Sequence, residues 1–246
     1  MYRFAFAAFL GCASVAYAGR PLITNDADIV PALKLQLESG VDYTQDARDH
    51  HVNVPATLTL GITAQLEAAV SFGWQHDVSH DESDARVDEN GCADVGLAAK
   101  WHFWSYEKTD HALALGINLP AASRHRGLGT GETDYDLTYI LSLRVSEAVN
   151  VHLNVGYTFV GNNDDADTRD FLHYSAAVTW QLDDNLQPVL EIFTDLPTQG
   201  GKAVTAVNAG VRYQLFDNVT LDAALSTKLA GDYPDLAGTI GFTWLF

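Results

Sequence analysis

A period of two, with large apolar residues alternating with small or polar ones, runs through most of the chain after residue 31. The last segment carries Leu236, Ile240, Phe242, Trp244 and Phe246 at even positions and Ala237, Thr239, Gly241 and Thr243 at odd positions. Successive side chains of a β-strand point to opposite faces of the sheet, so this alternation predicts strands with one apolar face. Beyond the N-terminus, single polar residues interrupt every apolar stretch before it is long enough for a membrane-spanning helix.

About twelve segments show this alternation, and the connectors between them are alternately short and long. We predict strands at residues 32–43, 52–63, 66–76, 93–104, 110–119, 134–145, 149–160, 171–182, 186–194, 204–215, 219–228 and 235–246. The long connectors, among them 44–51, 77–92 and 120–133, are rich in Asp, Asn, Gly and Thr, as loops are. The pattern predicts an all-β fold, a transmembrane antiparallel up-and-down barrel with long extracellular loops and short periplasmic turns.

The charges on the polar face decide between a soluble barrel and a membrane barrel. A soluble sandwich or lipocalin-like barrel hides its apolar face, which would leave the charged face exposed along every strand. Charges inside and aliphatic side chains outside suit a closed barrel in lipid, where every backbone group must be paired. Strand parity predicts the following lumen-lining residues: Lys34, Glu38, Glu67, Asp94, Lys100, Asp136, Arg144, His152, His173, Glu191, Arg212, Asp222 and Lys228.

Aromatic residues on the apolar face lie near the predicted strand ends, where membrane barrels carry interfacial girdles. The predicted girdle consists of Trp74, Trp101, Phe103, Tyr157, Phe159, Trp180, Tyr213, Trp244 and Phe246. The alternating Phe242, Trp244 and Phe246 also resemble the C-terminal signal by which outer-membrane proteins are recognised for barrel assembly. The alternative for each aromatic is ordinary packing, and for Phe246 a last lipid-facing position.

The N-terminus has the features of a secretory signal peptide, predicted at residues 1–18. Arg3 is the positive residue, residues 4–15 form a short apolar stretch, and Ala16-Tyr17-Ala18 is a small-x-small cleavage site. A lipoprotein site at Cys12 fits less well, because the apolar stretch continues past it. The mature chain, 19–246, then keeps Cys92 as its one cysteine and forms no internal disulfide. Residues 19–31, before the first strand, are predicted to stay in the periplasm or to enter the lumen as a plug.

The formal net charge of −18 excludes nucleic acid as a partner, because a phosphate backbone would repel the chain. The expected partners are outer-membrane lipids and lipopolysaccharide, the barrel-assembly machinery and a small-molecule solute. The acidic connectors 77–92 and 162–170 are interpreted as solvated surface, with divalent-cation binding as the alternative. His50, His51, His76 and His80 lack cysteine partners or a fixed element to orient them, so we predict no metal site and no cofactor.

Four segments resemble one known family: 20–27 (RPLITNDA), 129–135 (GTGETDY), 154–161 (NVGYTFVG) and 241–246 (GFTWLF). They are similar to segments of the outer-membrane barrels grouped as the MetA-pathway of phenol degradation family, and the similarity extends over nearly all of the mature chain. The resemblance implies an outer-membrane transporter or channel, and the family's name implies aromatic or hydrophobic solutes.

Barrel width sets the first limit on function. A barrel of about eight strands is filled by side chains and one of about sixteen encloses a water channel, so about twelve strands predict a narrow lumen. The predicted lumenal cations Lys34, Lys100, Arg144, Arg212 and Lys228 are expected to pair with Glu38, Glu67, Asp136, Glu191 and Asp222, which would narrow it further. We predict a passive channel or transporter for small molecules in the bacterial outer membrane.

Two other functions stay open at this stage. One is an occluded structural or adhesive barrel, whose inward charges would all be paired. The other is a lipid-modifying enzyme, for which Ser142, His152 and Asn154 are the candidate trio. Parity points that trio into the lumen, away from lipid, so we predict no enzymatic activity.

Overall fold

A computed structural model of the chain describes residues 19–80, 84–161 and 169–246. The predicted signal peptide and most of the acidic connector 162–170 lie outside the described residues. The described residues form one antiparallel sheet of thirteen strands. The strands are β1 (Leu35–Asp46), β2 (Asp49–Thr63), β3 (Leu66–His80), β4 (Arg86–Cys92), β5 (Val95–Tyr106), β6 (Thr109–Leu119), β7 (Asp134–Arg144), β8 (Val149–Phe159), β9 (Phe171–Trp180), β10 (Leu186–Pro197), β11 (Val204–Phe216), β12 (Val219–Ala230) and β13 (Leu236–Leu245). A 3-10 turn, Arg124–Arg126, follows β6.

The sheet closes into a barrel because β13 pairs antiparallel with β1 along nearly its whole length. The other strands pair with their neighbours in chain order, except that β3 pairs with β5 toward one end and with β4 toward the other. The structure is therefore a 12-strand barrel with one extra strand. This confirms the predicted antiparallel up-and-down barrel, in which closure removes the sheet edges.

The two ends of the barrel differ in their connections. At the turn end, short turns join the strands, at residues 64–65, 107–108, 145–148, 181–185 and 217–218. At the loop end, longer connections occur, such as 120–133. Pairing of β1 with β2 up to Asp46 and Asp49 makes the first loop-end connection a tight turn, so the long loop predicted at 44–51 is wrong.

The loop predicted at residues 77–92 is also wrong. β3 continues to His80 and forms a hairpin with β4, in register from Trp74–Cys92 to His80–Arg86. Among the strands that the structure describes, β4 pairs with β3 alone, so this hairpin stands beyond the closed ring. A strand outside the membrane needs no lipid-facing apolar side, and the alternation that marks the other strands is therefore missing here.

The outward face of the ring is apolar. Leu225 and Ile240 at mid-strand are 64% and 63% exposed, as expected of side chains that face hydrocarbon rather than water. In the described ranges, no helix has the length and apolarity to cross a membrane.

The nine residues predicted as a girdle lie on this outward face or at its ends. Seven are exposed, while Phe103 and Tyr157 are partly buried. A β-bulge in β5, between His102 and Trp104, places Phe103 and Trp104 on the same outward side. Trp104 and Tyr106 therefore also lie on the outward side, where a regular alternation through β5 does not predict them.

Candidate functional site

Residues 19–31, which precede β1, lie inside the barrel and are called the lumen segment. Its backbone and side chains contact residues of β1, β3, β5, β7, β8, β10, β11 and β12. A single short segment can meet strands all around a closed ring only from within. These contacts therefore define the inward face, and the cross-strand register assigns the other inward residues.

Glu191 of β10 is the most densely bonded carboxylate at this site. Its oxygens accept hydrogen bonds from the Ile23 backbone N–H at 2.9 and 3.0 Å and from the Thr24 N–H at 2.8 Å. The Thr24 hydroxyl donates another at 2.8 Å, and the Asn208 amide donates a further one at 2.7 Å. The side chain is 1% exposed, so these donors replace the water that a buried carboxylate would otherwise need.

Arg20 fixes the first part of the lumen segment. Its guanidinium lies 3.4 Å from Asp222 and 3.5 Å from Asp42, and its backbone N–H donates to Glu38 at 3.2 Å. Gly40 of β1 leaves the room that the guanidinium needs, because a Cβ there would collide with it. The arginine is thus held by two carboxylates at a place where the wall has no side chain.

The remainder of the lumen segment is tied to the opposite wall. The Asn154 side chain accepts from the Asn25 N–H at 2.6 Å and donates to the Asn25 carbonyl at 2.9 Å. Further along the segment, Ser142 accepts from the Ala27 N–H at 2.9 Å. The wall side chains here bond mainly to the segment's backbone, which satisfies peptide groups that would otherwise be buried without partners.

A buried lysine completes this attachment. Lys100 of β5 is 3.1 Å from Glu67 and 3.8 Å from Asp26 of the lumen segment. Glu67 in turn accepts from the Val30 N–H at 2.6 Å. The lysine therefore links a wall carboxylate to a segment carboxylate.

Asp28 of the lumen segment carries a shifted pKa. The neighbouring Asp26 carboxylate, followed by partial burial, raises the pKa of the Asp28 carboxyl. Asp110 also raises this pKa, while Lys100 and His102 act to lower it.

The thirteen predicted lumen-lining residues fall at three levels of the barrel. Beside the lumen segment lie Glu38, Glu67, Lys100, His152, Glu191, Arg212 and Asp222. Toward the loop end lie Asp94, Asp136, His173 and Lys228, and at the turn end lie Lys34 and Arg144.

Most of the ion pairs in the structure differ from those expected among these charges. Lys100 does pair with Glu67, but Arg144 lies 3.5 Å from Asp110 and Lys228 lies 2.6 Å from Asp235. Arg212 donates to Gln187 and to backbone carbonyls of the lumen segment. The reason is that donors from the lumen segment, rather than cations of the wall, satisfy Glu38, Glu191 and Asp222.

The candidate enzymatic trio does not form a relay. Ser142 and His152 are hydrogen-bonded at 2.8 Å, but the serine oxygen also accepts the Ala27 N–H. Asn154 bonds the backbone of Asn25 instead of orienting the histidine. These contacts thus attach the lumen segment to the wall. A catalytic triad would instead need its third residue to hydrogen-bond the histidine.

Sequence reasoning missed the residues of the lumen segment that make these contacts, above all Arg20 and Thr24. Their roles depend on where the segment lies, and strand parity carries no signal for a segment that is not a strand. One hint was available: Arg20 and Asp26 are the first charged residues after the predicted cleavage site.

The connection 120–133 folds over part of the loop end. Gln75 of β3 donates to the Leu128 carbonyl at 2.6 Å, and Asp94 accepts from the Ala122 N–H at 2.8 Å. In the described ranges, no three His, Cys, Asp or Glu side chains are placed to hold a metal ion. The site is thus a narrow polar lumen, with the lumen segment toward the turn end and a folded connection at the loop end.

Comparison with known proteins identifies structures of similar fold and the family of the chain. No curated protein matches the chain in sequence. The structure of the COG4313 outer membrane channel from Pseudomonas putida F1 is similar, with a TM-score of 0.70, 13% identity and coverage of 90% of this chain and 98% of that chain. The NanC porin has a TM-score of 0.60 and 9% identity, covering 85% of this chain and 98% of that one. The CymD monoaromatic hydrocarbon channel has a TM-score of 0.52 and 10% identity, covering 89% of each chain. At these identities the likeness shows the fold, whereas the family assignment comes from a match over residues 18–246, by which the chain belongs to the family described as "Putative MetA-pathway of phenol degradation".

Proposed function

We propose that this chain is an outer-membrane channel for the passive movement of small molecules, with the lumen segment as its movable plug. The observation that carries the proposal is that one chain segment fills the lumen through polar contacts with an otherwise complete barrel. The family description and the neighbouring channel structures support it. By the same likeness, we propose hydrophobic or aromatic small molecules as solutes.

A movable plug needs a wall that does not depend on it. The ring is closed by backbone pairing between every pair of neighbouring strands, including β1 and β13, and the strand pairing does not involve residues 19–31. The buried apolar clusters that involve the segment are small, namely Leu22 with Ala177 and Val189, and Ala27 with Ala112, Ala114 and Ile140. Polar contacts can be exchanged for water at small net cost, so release of the segment leaves a stable barrel.

The remaining parts of the proposal concern cellular context. We propose cleavage after Ala18, insertion with the turn end in the periplasm, and use of Phe242, Trp244 and Phe246 by the assembly machinery. Lipid would surround the apolar outward face, and lipopolysaccharide would contact its loop-end rim. No enzymatic role is assigned, because Ser142 is engaged by the lumen segment.

The test is single-channel recording in planar bilayers of refolded residues 19–246 and of a chain that lacks residues 19–31. We expect brief, small openings from the longer chain and sustained, larger conductance from the shorter one. If both chains fold, judged by heat-modifiable gel mobility, yet neither conducts, the protein is an occluded structural barrel.

A further inference from the structure

Two carboxylates face the lumen between the lumen segment and the loop end. Asp195 lies four residues beyond Glu191 along β10, and Asp136 lies six residues beyond Ser142 along β7. At a rise of about 3.3 Å per residue, these positions are roughly 13 and 20 Å along the strands from the residues that hold the segment. A solute that enters from the loop end therefore passes them before it reaches the plug.

Within the described ranges, the contacts of these two carboxylates include no strongly basic side chain that would neutralise their negative charge. Asp136 accepts a hydrogen bond from the Thr158 hydroxyl at 2.6 Å. Asp195 is 2.6 Å from the Nδ1 of His173, and both side chains are 16% exposed. In the part of the chain that the structure describes, neither has a lysine or arginine within ion-pair distance.

Glycines of the wall lie beside these two carboxylate positions. Gly116 pairs with Asp136 across β6 and β7, and Gly156 pairs with His173 across β8 and β9. A glycine on the inward face has no side chain to cover its neighbour. Both carboxylates keep partial access to the lumen, since Asp136 is half-buried and the Asp195 side chain is 16% exposed.

The basic side chains of the lumen are engaged elsewhere. Arg20 and Lys100 pair with carboxylates at the level of the lumen segment. Arg212 donates to Gln187 and to the segment backbone at that same level. Lys228 pairs with Asp235 near the rim. The loop-end half of the passage is left with an excess of negative charge.

Resting on the proposed channel function, we propose that Asp136 and Asp195 make this channel selective for neutral and cationic small molecules and exclude carboxylates. Charges of one sign in a water-filled passage with a low-dielectric wall concentrate counter-ions and repel ions of their own sign. Rings of carboxylates act in this way in cation channels. Of three solutes of nearly equal size, a protonated benzylamine and benzyl alcohol should pass, and benzoate should be retarded.

The test measures the flux of these three solutes into liposomes that contain the refolded mature chain, at pH 7.5 and low salt. The expected order is benzylammonium, then benzyl alcohol, then benzoate, with at least about tenfold between the two ions. Reversal potentials in a KCl gradient should show preference for K⁺. In about 1 M salt the preference should shrink, because the Debye length falls to about 3 Å.

The variants Asp136→Asn and Asp195→Asn keep the shape and hydrogen-bonding capacity of the side chains while removing the charge. Each should speed benzoate and leave benzyl alcohol unchanged, and the double variant should bring the two ions to similar flux. Asp184→Asn, exposed at a turn, is the matched control and should change nothing. Equal flux of all three solutes through the parent protein, or selectivity unchanged in the double variant, overturns this inference while the channel function stands. Absence of any flux overturns both.

Discussion

Removal of the Glu191 carboxylate should release the lumen segment. In Glu191→Ala, the N–H groups of Ile23 and Thr24 and the Thr24 hydroxyl lose their acceptor. A hydrogen bond to a charged group contributes about 1.5–3 kcal/mol net. Because three bonds to one carboxylate are not additive, we take about 3 kcal/mol as the loss from the docked state. At about 1.4 kcal/mol per factor of ten, the released population should rise about 100-fold.

A cysteine on the lumen segment reports this population. The hydrogen bonds between Asn25 and Asn154 use the backbone of Asn25, so Asn25→Cys in a Cys92→Ser background introduces a thiol and keeps these bonds. If reclosing is fast, the rate of maleimide labelling is proportional to the released fraction, so Glu191→Ala should raise it about 100-fold. Single-channel open probability should rise in parallel.

Two comparisons make this result specific. Glu191→Gln keeps one carbonyl acceptor without the charge, so its labelling rate should fall between those of the parent and Glu191→Ala. Glu147→Ala, exposed in a turn, should label like the parent. A labelling rate unchanged by Glu191→Ala, in a barrel that still shows heat-modifiable mobility, would refute the idea that these hydrogen bonds hold the segment.

Three further predictions concern the other attachment points. Lys100→Met leaves two carboxylates without their buried cation and should lower the free energy of unfolding by about 3–5 kcal/mol, measured by urea titration; an unchanged midpoint would contradict this. Arg20→Lys should raise the labelling rate, because a lysine cannot bridge two carboxylates as a guanidinium does, and Arg20→Met should raise it further; equal rates would argue against the bridge. Since Asp26 raises the pKa of Asp28, the contribution of the Asp28 carboxyl to docking is complete below its ordinary pKa of 3.8 and is lost as the pH rises through the shifted value, so labelling should increase less with pH in Asp28→Asn than in the parent.

The ring itself could be predicted from the sequence, because a strand with one face toward lipid alternates large apolar residues with small or polar ones. Val149–Phe159 shows why: its register with β7 and β9 places alternate residues on the inward face, as the apolar alternation indicates. The hairpin of β3 and β4 could not be predicted in this way, since Arg86–Cys92 has polar or small residues at both parities. The bulge at Phe103 could not be predicted either, because Phe103 and Trp104 are both large aromatic residues, so the alternation does not show which of them faces outward.

The partners of the inward charges could not be predicted for a different reason. Parity assigns Glu38, Glu191 and Asp222 to the lumen, but it does not show that a segment from outside the sheet supplies their donors. A buried charge needs a partner, and sequence reasoning looked for that partner among the other wall residues. The Arg20 guanidinium serves for Asp222, and backbone N–H groups of the lumen segment, which carry no sequence signal, serve for Glu38 and Glu191.

The same carboxylates therefore have two uses, depending on where the lumen segment lies. When it is docked, Glu191 and Asp222 hold it; when it leaves, Arg20 leaves with it and these carboxylates face water. The negative lining then extends from Asp136 at the loop end toward the turn end, so opening should strengthen the preference for cations. The chain that lacks residues 19–31 should accordingly show a larger K⁺ reversal potential than the mature chain. An equal or smaller potential would mean that the attachment residues lie off the path of the ions.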